Sequence, residues 1–130
     1  MATVLMVEDN AANMKLGKFL LESVGHTVLT ATDAEAGLAI ARAETPDLIL
    51  MDIQLPGMDG LEATAQLKRE DATRRIPVIA LTALARKGDE ERIRAAGCDG
   101  SVAKPSCYRE FLATIAAQLS RGVAKVIIIP

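Results

Sequence analysis

Short apolar runs alternate along this chain with longer amphipathic stretches. Thr3 to Val7 is a β-branched run that ends in acids. Asn13 to Val24 follows, with Met14, Leu16, Phe19, Leu20 and Leu21 spaced for one helical face. Gly25-His26 punctuates, and Thr27 to Thr30 reads as a second strand. Asp33 is placed to cap an Ala-rich helix, Ala34 to Ala43, which ends before Pro46. Leu48-Ile49-Leu50-Met51 is apolar at every position, the pattern of a strand covered on both faces. A loop with Pro56-Gly57 and Asp59-Gly60 comes next, then a helix over Leu61 to Lys68. Pro77 to Leu81 predicts a fourth buried strand, and Asp89 to Ala96 a charged helix closed by Gly97. Ser101 to Ala103 is a short fifth strand, and Tyr108 to Leu119 the last helix, with Gly122 as its C′ residue.

Five repeats of strand then helix predict an α/β fold: a doubly wound, five-stranded parallel sheet with helices on both faces and right-handed crossovers. The 130 residues suffice for one compact domain, expected over 1–122, followed by an apolar tail over 123–130. Half the residues are hydrophobic but only 2% are aromatic, so the core must be built from Ala, Val, Leu and Ile. A net charge of −2 lacks the basic excess of a nucleic-acid-binding domain and gives no membrane-surface signature. Cys98 and Cys107 have no CxxC spacing and read as packing thiols of a reducing compartment. Met1 to Val7 shows no signal-peptide pattern, and Val126 to Ile129 is far too short to span a bilayer. A cytoplasmic protein is therefore expected.

In open α/β sheets, ligands bind at the carboxyl ends of the strands. The first strand ends in Glu8-Asp9, the third in Asp52, the fourth in Thr82-Ala83 and the fifth in Ala103-Lys104-Pro105. The second ends near Thr30 with nothing distinctive. Three carboxylates, a hydroxyl and an ammonium thus converge on one sheet edge. The carboxylates repel one another unless a divalent cation sits among them, and hard oxygen ligands suit Mg²⁺. With that charge offset by the metal and by Lys104, Asp52 becomes a candidate nucleophile toward a phosphoryl group. Thr82 and Lys104 are placed to hold the phosphoryl oxygens, and positioning with charge stabilisation is most of what phosphoryl transfer needs.

Glu8-Asp9, the run Leu50 to Gly60, Leu81-Thr82-Ala83 and Lys104-Pro105 resemble the receiver-domain pattern of response regulators. The resemblance covers roughly residues 2 to 121. Met51 to Glu62 and Lys87 to Arg94 are similar to the DivK-type single-domain regulators of bacterial cell polarity. The resemblance implies a CheY-like, flavodoxin-like sheet of order 2-1-3-4-5. It implies a phosphoprotein of a two-component or phosphorelay system, a signalling switch rather than an enzyme. Asp9 and Asp52 would ligate Mg²⁺ with the Gln54 backbone carbonyl, and Glu8 would act through a metal-bound water. Asp52 would take phosphate from a histidine kinase or histidine phosphotransfer protein, Thr82 would swing toward it and Lys104 would pair with it. Pro105 would follow a cis peptide bond. Gln54 and Leu84 would flank the site and tune the phosphate lifetime. A downstream protein would read the switch.

Three features depart from that pattern. Ser101 stands three residues before Lys104, where receivers usually carry Tyr or Phe, and Ser106-Cys107 follows Lys104-Pro105 in place of an apolar residue. Chemistry at Asp52 should survive Ser101, but coupling to the output face is put in question. A pseudo-receiver, an interaction module that no longer switches with phosphate, is the alternative this suggests. The third departure is the β-branched run Val126 to Ile129, an aggregation hazard if exposed. It packs on its own domain, pairs along an edge strand, its own or a neighbour's, as a homodimer contact, or is an added scar or the start of a truncated region. Other classes fit less well. A dehalogenase-type phosphatase wants a second Asp where Gln54 stands, a flavodoxin wants a hydroxyl- and Gly-rich loop where Glu8-Asp9-Asn10 stands, and no dinucleotide fingerprint is present. His26 reads as a surface turn residue. The charge run Arg86 to Arg94 is either a solvated helix face or a partner contact.

Overall fold

The apolar runs form a sheet because they have no polar face to give to water. β1 (Thr3–Val7), β3 (Leu48–Asp52) and β4 (Val78–Thr82) are buried at every position except Thr3, as strands covered on both faces must be. β2 (Thr27–Ala31) and β5 (Gly100–Ala103) flank them, and their more polar residues suit the edges. The computed structural model describes residues 2–55, 57–82, 87–103 and 108–127, with the backbone alone at 87–90, 103, 108 and 121–127. All four strand pairings are parallel, in the order β2-β1-β3-β4-β5. The helices α1 (Ala11–Ser23), α2 (Ala34–Glu44), α3 (Gly60–Arg69), α4 (Lys87–Ala96) and α5 (Tyr108–Ile127) each follow a strand. The alternation expected from the hydrophobic pattern is the observed one.

The sheet separates two apolar clusters. Leu5, Val7, Ile49, Met51 and Val78 face Ala34, Leu38 and Ala41 of α2 and Ala63 and Leu67 of α3. Val4, Met6, Leu48, Leu50, Ile79, Leu81 and Val102 face Leu20 and Leu21 of α1 and Phe111 and Ile115 of α5. Successive strand residues point to opposite faces, so one β1 segment serves both clusters. Two helices come close to β1 at glycines: a methyl at Gly17 would overlap the Met6 side chain, and one at Gly37 would lie 2.7 Å from Val7 Cγ2.

Three helix starts are set by side-chain caps. Asn10 Oδ1 accepts from the Asn13 amide (3.0 Å), Asp33 Oδ1 from Ala36 (2.8 Å) and Asp59 Oδ1 from Glu62 (2.8 Å). The Asn10 cap starts α1 at Ala11 rather than Asn13, because Ala11-Ala12 adds helix without adding to the apolar periodicity. The same helix turns Phe19 outward, 67% exposed, although its spacing groups it with the buried face. That face is instead centred on Gly17, Leu20 and Leu21, about 100–200° round the helix from Phe19. Gly97 closes α4 at φ +102°, in keeping with its position after Ala96. α5 continues past Gly122 to Ile127; one glycine costs a helix about 1 kcal/mol and does not by itself end it.

The opposite edge of the sheet is tied by polar contacts. Thr3 and Asp47 exchange hydrogen bonds, Thr3 N–H to Asp47 Oδ2 and Asp47 N–H to Thr3 O, both 2.8 Å. His26 Nδ1 accepts from the Ala2 amide at 3.2 Å, so the turn histidine also anchors the start of β1. Lys68 Nζ reaches Ile76 O and Asp99 Oδ2, each 2.9 Å, and Asp99 Oδ2 also accepts from the Val78 amide. This ties the end of α3 to the starts of β4 and β5.

Candidate functional site

The strand order reverses direction at β1, which has β2 on one side and β3 on the other. Such a switch point opens a crevice beyond the strands' carboxyl ends. Val7 and Met51 are register partners, so Glu8-Asp9 and Asp52 leave neighbouring strands at the same level. Oxygens of Glu8, Asp9 and Asp52 all lie within 4.8 Å of one another. Thr82, 3% exposed, ends the next strand, where Asp52 pairs with Leu81. Thr82 in turn pairs with Ala103, the last residue of β5. Lys104, Pro105, Leu84 and Cys107 lie outside the described residues.

The three acids are not equivalent. Asp52 is fully buried and Glu8 is 1% exposed, whereas Asp9 is exposed. Asp52 Oδ1 accepts from the Gln54 amide at 2.9 Å, and Glu8 Oε1 from the Asn10 amide at 3.1 Å. These local bonds fix one oxygen of each buried carboxylate to the backbone amide two residues on. Gln54 itself is exposed, with its backbone beside Asp52. Buried carboxylates gathered this closely call for compensating positive charge. The donors are hard oxygens, the kind Mg²⁺ takes at about 2.0–2.1 Å. Oxygens gathered within 4.8 Å lie close to the span of ligands around one such ion. The donor set therefore fits a small divalent cation.

Ser101 lies exposed on β5, paired with Ala80. It borders a groove lined by Ile93, Arg94, Cys98, Asp99 and Gly100. Within the α4 charge run, Glu91, Arg92 and Arg94 are exposed and Ile93 is buried. Cys98 is a partly buried packing thiol, in agreement with its place in the sequence.

One residue inside the run Leu50 to Gly60 is given no role at the site by the sequence. Gly60 reads there as half of a turn, but it is the first residue of α3 and abuts the Asp52 carbonyl. A helix cap followed directly by glycine, eight positions after a strand-end acid, is the available signal.

Kinship agrees with this geometry: residues 4–116 match the family model of the response regulator receiver domain. The polar-differentiation response regulator DivK of Brucella anthropi is 50% identical over 117 residues, covering 90% of this chain and 95% of that protein. Among solved structures, the receiver domain of sensor histidine kinase PA1611 from Pseudomonas aeruginosa superposes with a TM-score of 0.85 at 34% identity. That match covers 92% of this chain and 98% of the other, and that structure holds a magnesium ion in its active site cleft. A CheY-like receiver from Methanospirillum hungatei gives a TM-score of 0.87 at 29% identity, over 96% and 98% of the two chains. Fold, strand-end chemistry and kinship therefore agree, and the chain belongs to the response regulator receiver domain family of two-component signalling.

Proposed function

We propose that this chain is a phosphoacceptor regulator that receives a phosphoryl group on Asp52, with Mg²⁺, from a histidine kinase or histidine phosphotransfer protein. The reading rests chiefly on one observation: a fully buried Asp52 whose carboxylate is aimed by the Gln54 amide into a cluster with Glu8 and Asp9. Asp9, Asp52 and the Gln54 carbonyl are the direct metal ligands in this reading, and Glu8 acts through water. The cation, when bound, offsets the charge on the entering phosphoryl oxygens. A carboxylate oxygen of Asp52 forms the new bond to phosphorus as the phosphorus–nitrogen bond to the donor imidazole breaks, and the imidazole leaves with a proton. Thr82 donates its hydroxyl to a phosphoryl oxygen, and Lys104 pairs with another. The site catalyses no turnover of an independent substrate, so the protein is a switch and not an enzyme.

Output passes to a downstream protein in the cytoplasm and not to nucleic acid, in keeping with the net charge of −2. No helix among the described residues is long and apolar enough to cross a membrane. The Brucella relatives carry the name polar differentiation, and we place the output of this chain in that process. The receiver proper comprises 1–122 in this reading, and the apolar segment 123–130, whose first residues continue α5, is available for homodimer contact.

The test is intact-mass spectrometry after incubation with acetyl phosphate, with and without Mg²⁺, on wild type and Asp52→Asn. The expected result is a metal-dependent gain of one phosphoryl group that the variant lacks. Absence of the adduct, under conditions that label another receiver, overturns the reading. The exposed Ser101 favours the pseudo-receiver in that event, an interaction module indifferent to phosphate.

A further inference from the structure

Gly60 has an ordinary negative φ, so its glycine identity is not explained by backbone conformation; the positive-φ glycines of the described chain are Gly25, Gly57 and Gly97. What Gly60 lacks is space. A methyl there would overlap the Asp52 carbonyl oxygen and lie 2.8 Å from the Asp52 carbonyl carbon and 3.0 Å from Ile53 Cα. All three obstacles are backbone, so none can rotate away. The first turn of α3 therefore rests directly on the main chain that carries the phosphoacceptor carboxylate.

The same turn is held from above by a buried side chain. Thr64, fully buried, donates its hydroxyl to the Gly60 carbonyl at 2.8 Å. A hydroxyl bonding back to the residue four earlier pulls on that carbonyl and bends the helix locally. The Thr64 oxygen also accepts from Cys98 Sγ at 3.9 Å, which leaves its own proton for Gly60. Asp59 caps the helix one residue earlier, through Glu62. The turn is thus fixed by a cap, a buried hydroxyl and a steric seat.

We propose that Gly60 and Thr64 are positioning residues for the Asp52 site: they set the height of the β3 end, and with it the placement of the Asp52 carboxylate and the Gln54 amide that aims it. The proposal deepens the phosphoacceptor reading and rests on it for its consequence in signalling. Neither residue touches metal or phosphate. Each acts through the main chain from Asp52 to Gln54, the stretch that supplies one carboxylate ligand and one carbonyl ligand in that reading.

The experiment compares wild type, Gly60→Ala, Thr64→Val, Thr64→Ser and Asp52→Asn. Three quantities are read: the metal-free ¹⁵N–¹H position of the Gln54 amide, the Mg²⁺ dissociation constant from the same spectra, and Tm. Gly60→Ala and Thr64→Val are expected to move the Gln54 amide in metal-free protein and to weaken Mg²⁺ binding, by about tenfold for Gly60→Ala. Thr64→Ser keeps the hydroxyl and is expected to restore both quantities. Variants that lower Tm but leave the Gln54 amide and the Mg²⁺ affinity at wild-type values overturn the proposal. If Gly60→Ala does not fold, Thr64→Val against Thr64→Ser decides by the same criteria. Failure of the phosphoacceptor reading looks different: wild type itself then takes no phosphoryl group, while the metal-free Gln54 amide still reports whether the seat positions β3.

Discussion

Burial pushes the Cys98 thiol above its ordinary pKa, the neighbouring Asp99 adds to the rise, and the Thr64 hydrogen bond and Lys68 oppose it. A free thiol ionises near pH 8.5. The folded thiol holds its proton longer than the unfolded one, so its contribution to stability is complete below about pH 8.5 and is lost as pH rises beyond. Urea melts between pH 7 and 10 should therefore show a decline that Cys98→Ala makes shallower. Iodoacetamide at pH 8 should label Cys98 more slowly than a small free thiol, read by peptide mapping to separate it from Cys107. Equal labelling rates would refute the shielded thiol. At this scale the gathering of strand-end residues is legible, as at Glu8, Asp9 and Asp52, with Thr82 ending the next strand. Gly60 and Phe19 are not legible. The first depends on a distance between elements, and the second on a helix phase that a few apolar residues define only loosely.

Elements are readable by type and order because each apolar run has one period and one length. Their ends are less so, since an end is decided by a cap or a closing bond and not by the apolar repeat. The Asn10 cap and the continuation of α5 through Gly122 are the two examples. How closely an element approaches its neighbour is also hidden in one dimension. α2 meets β1 at Gly37, where a methyl would lie 2.7 Å from Val7 Cγ2. Helix propensity alone favours Ala over Gly by about 1 kcal/mol, and overpacking costs about 1–3 kcal/mol. The side chain it strikes is a stiff, β-branched Val in a fully buried strand position. Overpacking should win, and Gly37→Ala is expected to lose up to about 2 kcal/mol in denaturant melts. A stabilised variant would show that α2 can slide away from β1 without penalty.

Among the described residues, Glu8, Asp9 and Asp52 gather like charge at one edge of the sheet, where mutual repulsion opposes folding. Asp9 is the exposed member of the acidic cluster and can be neutralised with least damage to packing. Asp9→Asn is expected to raise Tm by about 2–4 °C in metal-free buffer and to shrink the rise that wild type shows on adding Mg²⁺. Calorimetry with EDTA and with millimolar Mg²⁺ checks both halves; a variant less stable than wild type in EDTA would contradict the repulsion. Behind this edge lie the two apolar clusters, one beneath α2 and α3 and one beneath α1 and α5, with the sheet between them. The Gly60–Thr64 seat belongs to the α3 side. Sequence drift can therefore remodel the outer surfaces of α1 and α5 while the packing beneath α2 and α3 stays intact. A partitioned core of this kind lets one half diversify while the other keeps its arrangement.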